Sequence, residues 1–365
     1  MKNNLILLLL MLNFSFTFSN DWNNAQWIWQ QEDGPSNTWM SFRKTVNINQ
    51  IPEAVEANIA VDSKFWLWIN GKMVLFEGGL SRGPSQAGDW NRKEKITPAN
   101  SWYDTINIKP YLKKGENTIA ILVWYWGRET HKGTHIDSGK GGLLFYANIG
   151  NEQVVSDATW KAIPHPAYNN TIAPASKAMV QFSVLFDAQK AIGDWSKNAW
   201  YSENFDDSNW TNAVEKGKLG VAPWYSVEKN IVPHLINHGL QNYKNHKALK
   251  FPFVSDGKTI KAILPFNKQI TPYLEIEAKA GDTIFITTDN RLNRINATYI
   301  TKQGKQSFES YSWMNGHEIR YTIPKGVKVN ALKYRWMSVG EMAGTFQIDD
   351  PFYQRLWWMG NNTLF

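Results

Sequence analysis

The chain has 365 residues, enough for two or three cores, and its 43% hydrophobic content marks it as globular rather than disordered. Its formal charge of +7 is scattered, and no strip alternates basic with stacking residues, which speaks against a nucleic-acid groove. The chain has no cysteine, so disulfides, a thiol nucleophile and a lipid-modified cysteine are all excluded. The unusual quantity is aromatic: 19 Trp, 14 Tyr and 18 Phe. Most of these rings belong in a core, but flat indole faces also suit the C–H faces of sugars.

At the N-terminus, Lys2, the apolar run Leu5 to Leu12 and Thr17-Phe18-Ser19 have the layout of a secretory signal peptide over residues 1–19. The apolar run is too short to span a bilayer, and no later segment approaches that length, so a secreted or periplasmic chain without a membrane span is expected. Trp22 to Trp29 reads as an opening strand, and Trp39 to Val46 alternates as the next. Ala57 to Ile69 reads as a third strand, ending at Asn70-Gly71, a strong hairpin signal. Gly78 to Ser101 is polar and glycine-rich, the pattern of a long loop.

Tyr103 to Leu112 and Thr118 to Trp126 then flank the turn Lys113-Lys114-Gly115-Glu116-Asn117, and together they read as a central hairpin. The second segment lacks both charge and proline, which suits a strand buried on both faces at the middle of a sheet. A second glycine-rich loop, Gly127 to Gly142, leads to a strand at Leu143 to Ala147. Pro164, Pro166 and Pro174 break up residues 156–200.

The composition shifts between Val221 and His234. Beyond it, strands are predicted at Thr259–Pro265, Tyr273–Ala278, Thr283–Thr288, Ala297–Thr301, Glu318–Ile323 and Leu332–Val339. The fold class is therefore all-β: two consecutive jelly-roll-like β-sandwich domains, 20–228 and 229–346. Residues 347–365 break the pattern. Asp349 or Asp350 can cap a helix, Pro351 suits its first turn, and Phe352, Leu356, Met359 and Thr363 recur at helical spacing. An apolar face so placed needs a partner.

Several stretches in fixed order carry a resemblance. They are Arg82-Gly83-Pro84, Trp102-Tyr103-Asp104-Thr105, Tyr111 to Asn117 with Val123-Trp124 and Gly127, Phe186-Asp187-Ala188 and Phe205 to Trp210. Trp313 to His317, Ile323 to Val327, Leu332 to Arg335, Gly344-Thr345-Phe346, Asp349-Asp350-Pro351-Phe352 and Leu356-Trp357 continue the series. In this order the sequence resembles the bacterial α-L-rhamnosidases, which join N-terminal β-sandwiches, the first of them galactose-binding-like, to an (α/α)6 barrel. The resemblance implies an inverting glycoside hydrolase in which two carboxylates about 6.5–9.5 Å apart act as general acid and general base. It puts both in the barrel, past Phe365, so no catalytic residue is assigned here and no cofactor is expected. It implies as partners a rhamnose-containing oligosaccharide, polysaccharide or glycoside, and the barrel itself. The other expectation is a stand-alone carbohydrate-binding or scaffold module.

Arg82, Asp89, Trp90, Asn91 and Trp102 of one loop region, with Trp126 from the next, are the candidate carbohydrate-binding residues: indoles for stacking, and Asp, Asn and Arg for vicinal hydroxyls. His131 and His135, with Asp137 close behind, have metal-ligand spacing only on a helix, and the surrounding glycines argue for a loop, so no metal is expected; His234 and His238 share that weakness. The acidic residues Glu341, Asp349 and Asp350 read as a turn and a helix cap.

Overall fold

The computed structural model describes residues 22–79, 100–127, 138–171, 174–176, 179–194, 196–290, 292, 294–340 and 342–364. The fold is all-β. The first ten strands are β1 (Gln26–Trp29), β2 (Thr38–Ile48), β3 (Glu56–Asp62), β4 (Lys64–Ile69), β5 (Lys72–Gly79), β6 (Asn100–Asn107), β7 (Gly115–Tyr125), β8 (Gly142–Ile149), β9 (Glu152–Val155) and β10 (Lys161–Pro164). A five-stranded sheet runs β10-β2-β7-β4-β5. A seven-stranded sheet runs Val214–Lys218, β1, β8, β3, β6 and Ser226–Lys229, with β9 on β8.

Between these two sheets lies an aliphatic core of Met40, Phe42, Phe65, Leu67, Ile119, Ile121 and Val123 against Ile59, Leu143 and Phe145. As the uncharged run predicts, β7 is the middle strand of its sheet and is buried on both faces. Its other face carries Ala120, Leu122 and Trp124, beside Trp39 on β2 and Trp66 and Trp68 on β4.

A nine-stranded sheet covers that indole face. Its order is Val184–Asp187, Ala297–Ile300, Thr283–Thr288, Met314–Thr322, Thr259–Ala278, Lys328–Ser338 and Ile236–Asn242. Phe253–Val254 joins Lys328–Ser338, and Gly304–Glu309 joins Thr259–Ala278. Trp39 stacks on its sheet neighbour Trp124 at 4.2 Å and on Tyr168 of the following segment at 4.0 Å, and Trp66 stacks on Tyr311, from between Gly304–Glu309 and Met314–Thr322, at 4.9 Å. The indole face and the buried side chains of the nine-stranded sheet form one continuous core.

Three predicted elements differ. Ala57 to Ile69 is two strands, because the chain leaves the seven-stranded sheet after Asp62 and enters the five-stranded one at Lys64. The strands flanking Lys113–Asn117 are not a hairpin: β6 and β7 lie in different sheets. The crossing is held by the buried Asn117, whose Nδ2 donates to the carbonyls of Lys113 (2.7 Å) and Gly115 (2.9 Å) and whose Oδ1 accepts from the Lys113 amide (2.9 Å). Thr259–Ala278 is one strand whose pairing with Met314–Thr322 is interrupted between Ile263 and Lys268. Asn70-Gly71 does form the tight β4–β5 turn, with φ of 52° and 75°.

A cavity of about 210 Å³ remains where the indole face meets the nine-stranded sheet, lined by His165 and several tyrosines. Nδ1 of His165 accepts from the Ala167 amide at 3.3 Å, and its ring packs against Tyr168 and Phe186. Burial pushes its pKa down from 6.5 to about 3. Between those values the unfolded chain binds a proton that the folded chain refuses, so stability is present at neutral pH and falls as pH drops. Urea unfolding should lose about 2 kcal/mol between pH 7 and pH 5 on this account, a slope that His165→Phe removes.

Candidate functional site

A cleft of about 950 Å³ is bordered by the five-stranded sheet, the nine-stranded sheet and the C-terminal helix. Three distant stretches meet there. Strands β4 and β5 bring Lys64 and Glu77, and Trp126 follows β7. The irregularity after Ile263 turns Phe266 and Lys268 toward the opening, beside Trp313 and Trp336. The helix contributes Arg355 and Trp358.

The helix itself, Pro351–Leu364, starts as the sequence predicts, with Oδ1 of Asp350 accepting from the Phe352 amide at 2.8 Å. Trp358 meets Phe266 edge-on at 5.4 Å, and Trp357 stacks on Phe346 at 5.6 Å. The predicted apolar row is split: Met359 and Thr363 line the cleft, Met359 still 50% exposed, while Phe352 and Leu356 are 67% and 54% exposed and lie outside the lining.

The floor of the cleft holds a buried ion pair. Lys64 Nζ lies 2.8 Å from Glu77 Oε1 and 5.2 Å from the centre of the Trp126 ring. The other Glu77 oxygen accepts from the Trp313 indole N–H. Glu77 sits at φ 74°, a conformation that side chains other than those of glycine, Asn and Asp seldom adopt. One carboxylate thus ties the first sandwich to the second. Among the described lining residues Glu77 is the only carboxylate, and Lys64 and Trp313 already hold it.

At the other wall, Lys268 Nζ stands 3.2 Å from the centre of the Trp336 ring and 4.3 Å from that of Phe266. Burial against these rings lowers its pKa from 10.5 to about 8. His238 stacks on the same Trp336 indole at 4.1 Å, and its Nε2 is 2.8 Å from Ser338 Oγ.

Of the sequence candidates, Trp126 reaches this cleft and is buried in it. Trp102 lies on β6, opposite Glu228 of the neighbouring parallel strand and outside the cleft lining. Arg82, Asp89, Trp90 and Asn91 lie outside the described residues, as do the leader, His131, His135, Asp137 and Glu341. Asp104, quoted above in its sequence stretch, accepts from the Gly79 amide at 2.7 Å and from Asn230 at 2.8 Å, and lies 3.3 Å from His234. His234 and His238 therefore have separate partners, and among the described residues no cluster of three metal-ligating side chains occurs. Lys64, Glu77, Lys268 and Trp336 escaped sequence reading because no spacing links them. The proline-interrupted strand at Pro265 was the one available signal.

Removing the Glu77 charge leaves Lys64, 3% exposed, without its partner. Glu77→Gln should cost about 3 kcal/mol in urea unfolding, and adding Lys64→Met should recover most of it. An unchanged midpoint for the single variant would mean that the pair contributes nothing.

No protein-family model and no curated protein matches the sequence. Solved structures do match. The chain is similar to a GH78 family rhamnosidase of Bacillus sp. GL1, with a TM-score of 0.75 at 14% identity over 93% of this chain and 58% of that one. It is similar to an α-L-rhamnosidase from Aspergillus terreus, with a TM-score of 0.62 at 17% identity over 93% of this chain and 39% of the other. The α-L-rhamnosidase of Streptomyces avermitilis, solved with L-rhamnose, gives a TM-score of 0.60 at 16% identity over 90% and 31%. The fold is thus shared with rhamnosidases, and the chain spans 31–58% of their length.

Proposed function

We propose that this chain is the non-catalytic, N-terminal β-sandwich region of an exported α-L-rhamnosidase-like glycoside hydrolase acting on rhamnose-containing glycans or glycosides. In this reading it scaffolds an (α/α)6 catalytic barrel and offers the aromatic cleft to the saccharide. The observation that carries the reading is the fold, shared over 93% of the chain with a rhamnosidase of greater length. Export rests on the layout of residues 1–19. Among the described residues no helix is long and apolar enough to cross a membrane.

Two features support a division of labour. Inverting hydrolysis needs two free carboxylates about 6.5–9.5 Å apart, and the cleft lining described above presents a single carboxylate, already bonded. Phe352 and Leu356, exposed and outside the cleft lining, are apolar surface of the kind that a packed helical neighbour would cover. The same surface favours this reading over a stand-alone binding module, which has no use for it.

On an aryl α-L-rhamnoside the 365-residue chain should release no aryl alcohol above background, and turnover would overturn the reading. Titration with a rhamnose-containing oligosaccharide should quench tryptophan fluorescence saturably. Trp358→Ala should weaken that binding by about 1–3 kcal/mol, with aromatic–base stacking as the scale.

A further inference from the structure

Among the described residues the charges lining the cleft do not balance. Lys64 is neutralised by Glu77, and His317 lies 3.6 Å from Asp289. Lys268 and Arg355 line the same space, and among the described residues neither has a carboxylate within ion-pair distance. Among the described residues, the Lys268 ammonium, half-withdrawn from water and seated on Trp336 and Phe266, has no counter-ion. Beside it stands Trp358, 48% exposed, and Asn267 and Gln269 project from the same strand. The volume, about 950 Å³, suits a bound organic ligand, for which about 300–1,000 Å³ is usual.

We propose that the cleft takes an acidic saccharide unit, with its carboxylate or sulfate group on Lys268 and its ring against Trp358. The inference rests on the rhamnosidase-like reading and narrows its substrate class to acidic, rhamnose-containing glycans. A purely apolar partner would cover the rings and leave the cations unmet. The uncompensated cations call for an anion, and a ring-bearing anion uses both parts of the site.

The pH behaviour follows from the position of Lys268. The charged groups around it are Lys64 and Glu77 on the five-stranded sheet, His317 and His238 on the nine-stranded sheet and Arg355 on the helix. Lys268 is a cation below about 8 and neutral above it, so affinity for an acidic ligand falls as pH rises through that value.

The test is calorimetric titration of the full chain with three probes: an oligosaccharide of alternating rhamnose and galacturonic acid, its carboxyl-reduced form, and a rhamnose-sulfate oligosaccharide. One of the acidic probes should bind at least about tenfold tighter than the reduced one, and which of them does identifies the anion. Lys268→Gln should abolish that preference while leaving the reduced probe unaffected. Lys268→Arg should keep the preference and lose its decline between pH 7 and 9.5. Equal binding of acidic and reduced probes, unchanged by Lys268→Gln, would overturn the acidic assignment and leave the rhamnose reading standing. Failure of all three to bind, with the fold intact by circular dichroism, would overturn both the assignment and the cleft's part in sugar binding.

Discussion

The five-stranded sheet is apolar on both faces, and that single constraint dictates the architecture. Its central strand presents Ile119, Ile121 and Val123 to one side and Ala120, Leu122 and Trp124 to the other. A sheet so composed cannot leave either face in water. The seven-stranded sheet covers the aliphatic face, and the nine-stranded sheet covers the indole face. Each buried Trp removes on the order of 150–250 Å² from solvent, so the indole seam is among the largest favourable terms in the fold.

The same seam explains where the cleft lies. Rings pack tightly at the centre, where Tyr168, Tyr201 and Tyr311 stack on Trp39, Trp68 and Trp66. Towards Trp126 the two sheets part, and the gap is bridged by the Trp313 indole N–H donating to Glu77, which Lys64 holds within the five-stranded sheet. Arg335, bidentate on Glu309 at 2.7 and 2.8 Å across the intervening strand Thr259–Ala278, lays its guanidinium over Phe76 of the five-stranded sheet. Apolar stacking thus supplies adhesion, while Glu77–Trp313 and Arg335–Phe76 make specific contacts between the layers.

Much of this was legible in the residues, and what was not has identifiable causes. An uncharged, β-branched and aromatic run marks a doubly buried strand, Asn-Gly marks a tight turn, and Asp-Pro marks a helix start. All three signals are local, and all three elements are present. Sheet membership is not local. The passage from Asp62 to Lys64 changes sheet without any glycine or proline, because both sides of the break are buried and equally apolar. Gly304–Glu309 (GKQSFE) was overlooked because its composition is that of a loop, although Gln306 and Phe308 are buried. Of the cleft, Trp126 could be proposed from its place after β7. Lys64, Glu77 and Lys268 could not, since a lysine in a strand ordinarily faces solvent.

The continuous indole seam also limits how such a chain can be rearranged. If the chain were grafted at residue 229 onto an unrelated partner, Trp39 and Trp68 would keep Tyr168 and Tyr201, but Trp66 would lose Tyr311 and turn its indole toward water. A replacement partner would have to offer a Tyr311-like ring at that position. The two parts of the chain therefore cannot be exchanged independently without uncovering the indole face.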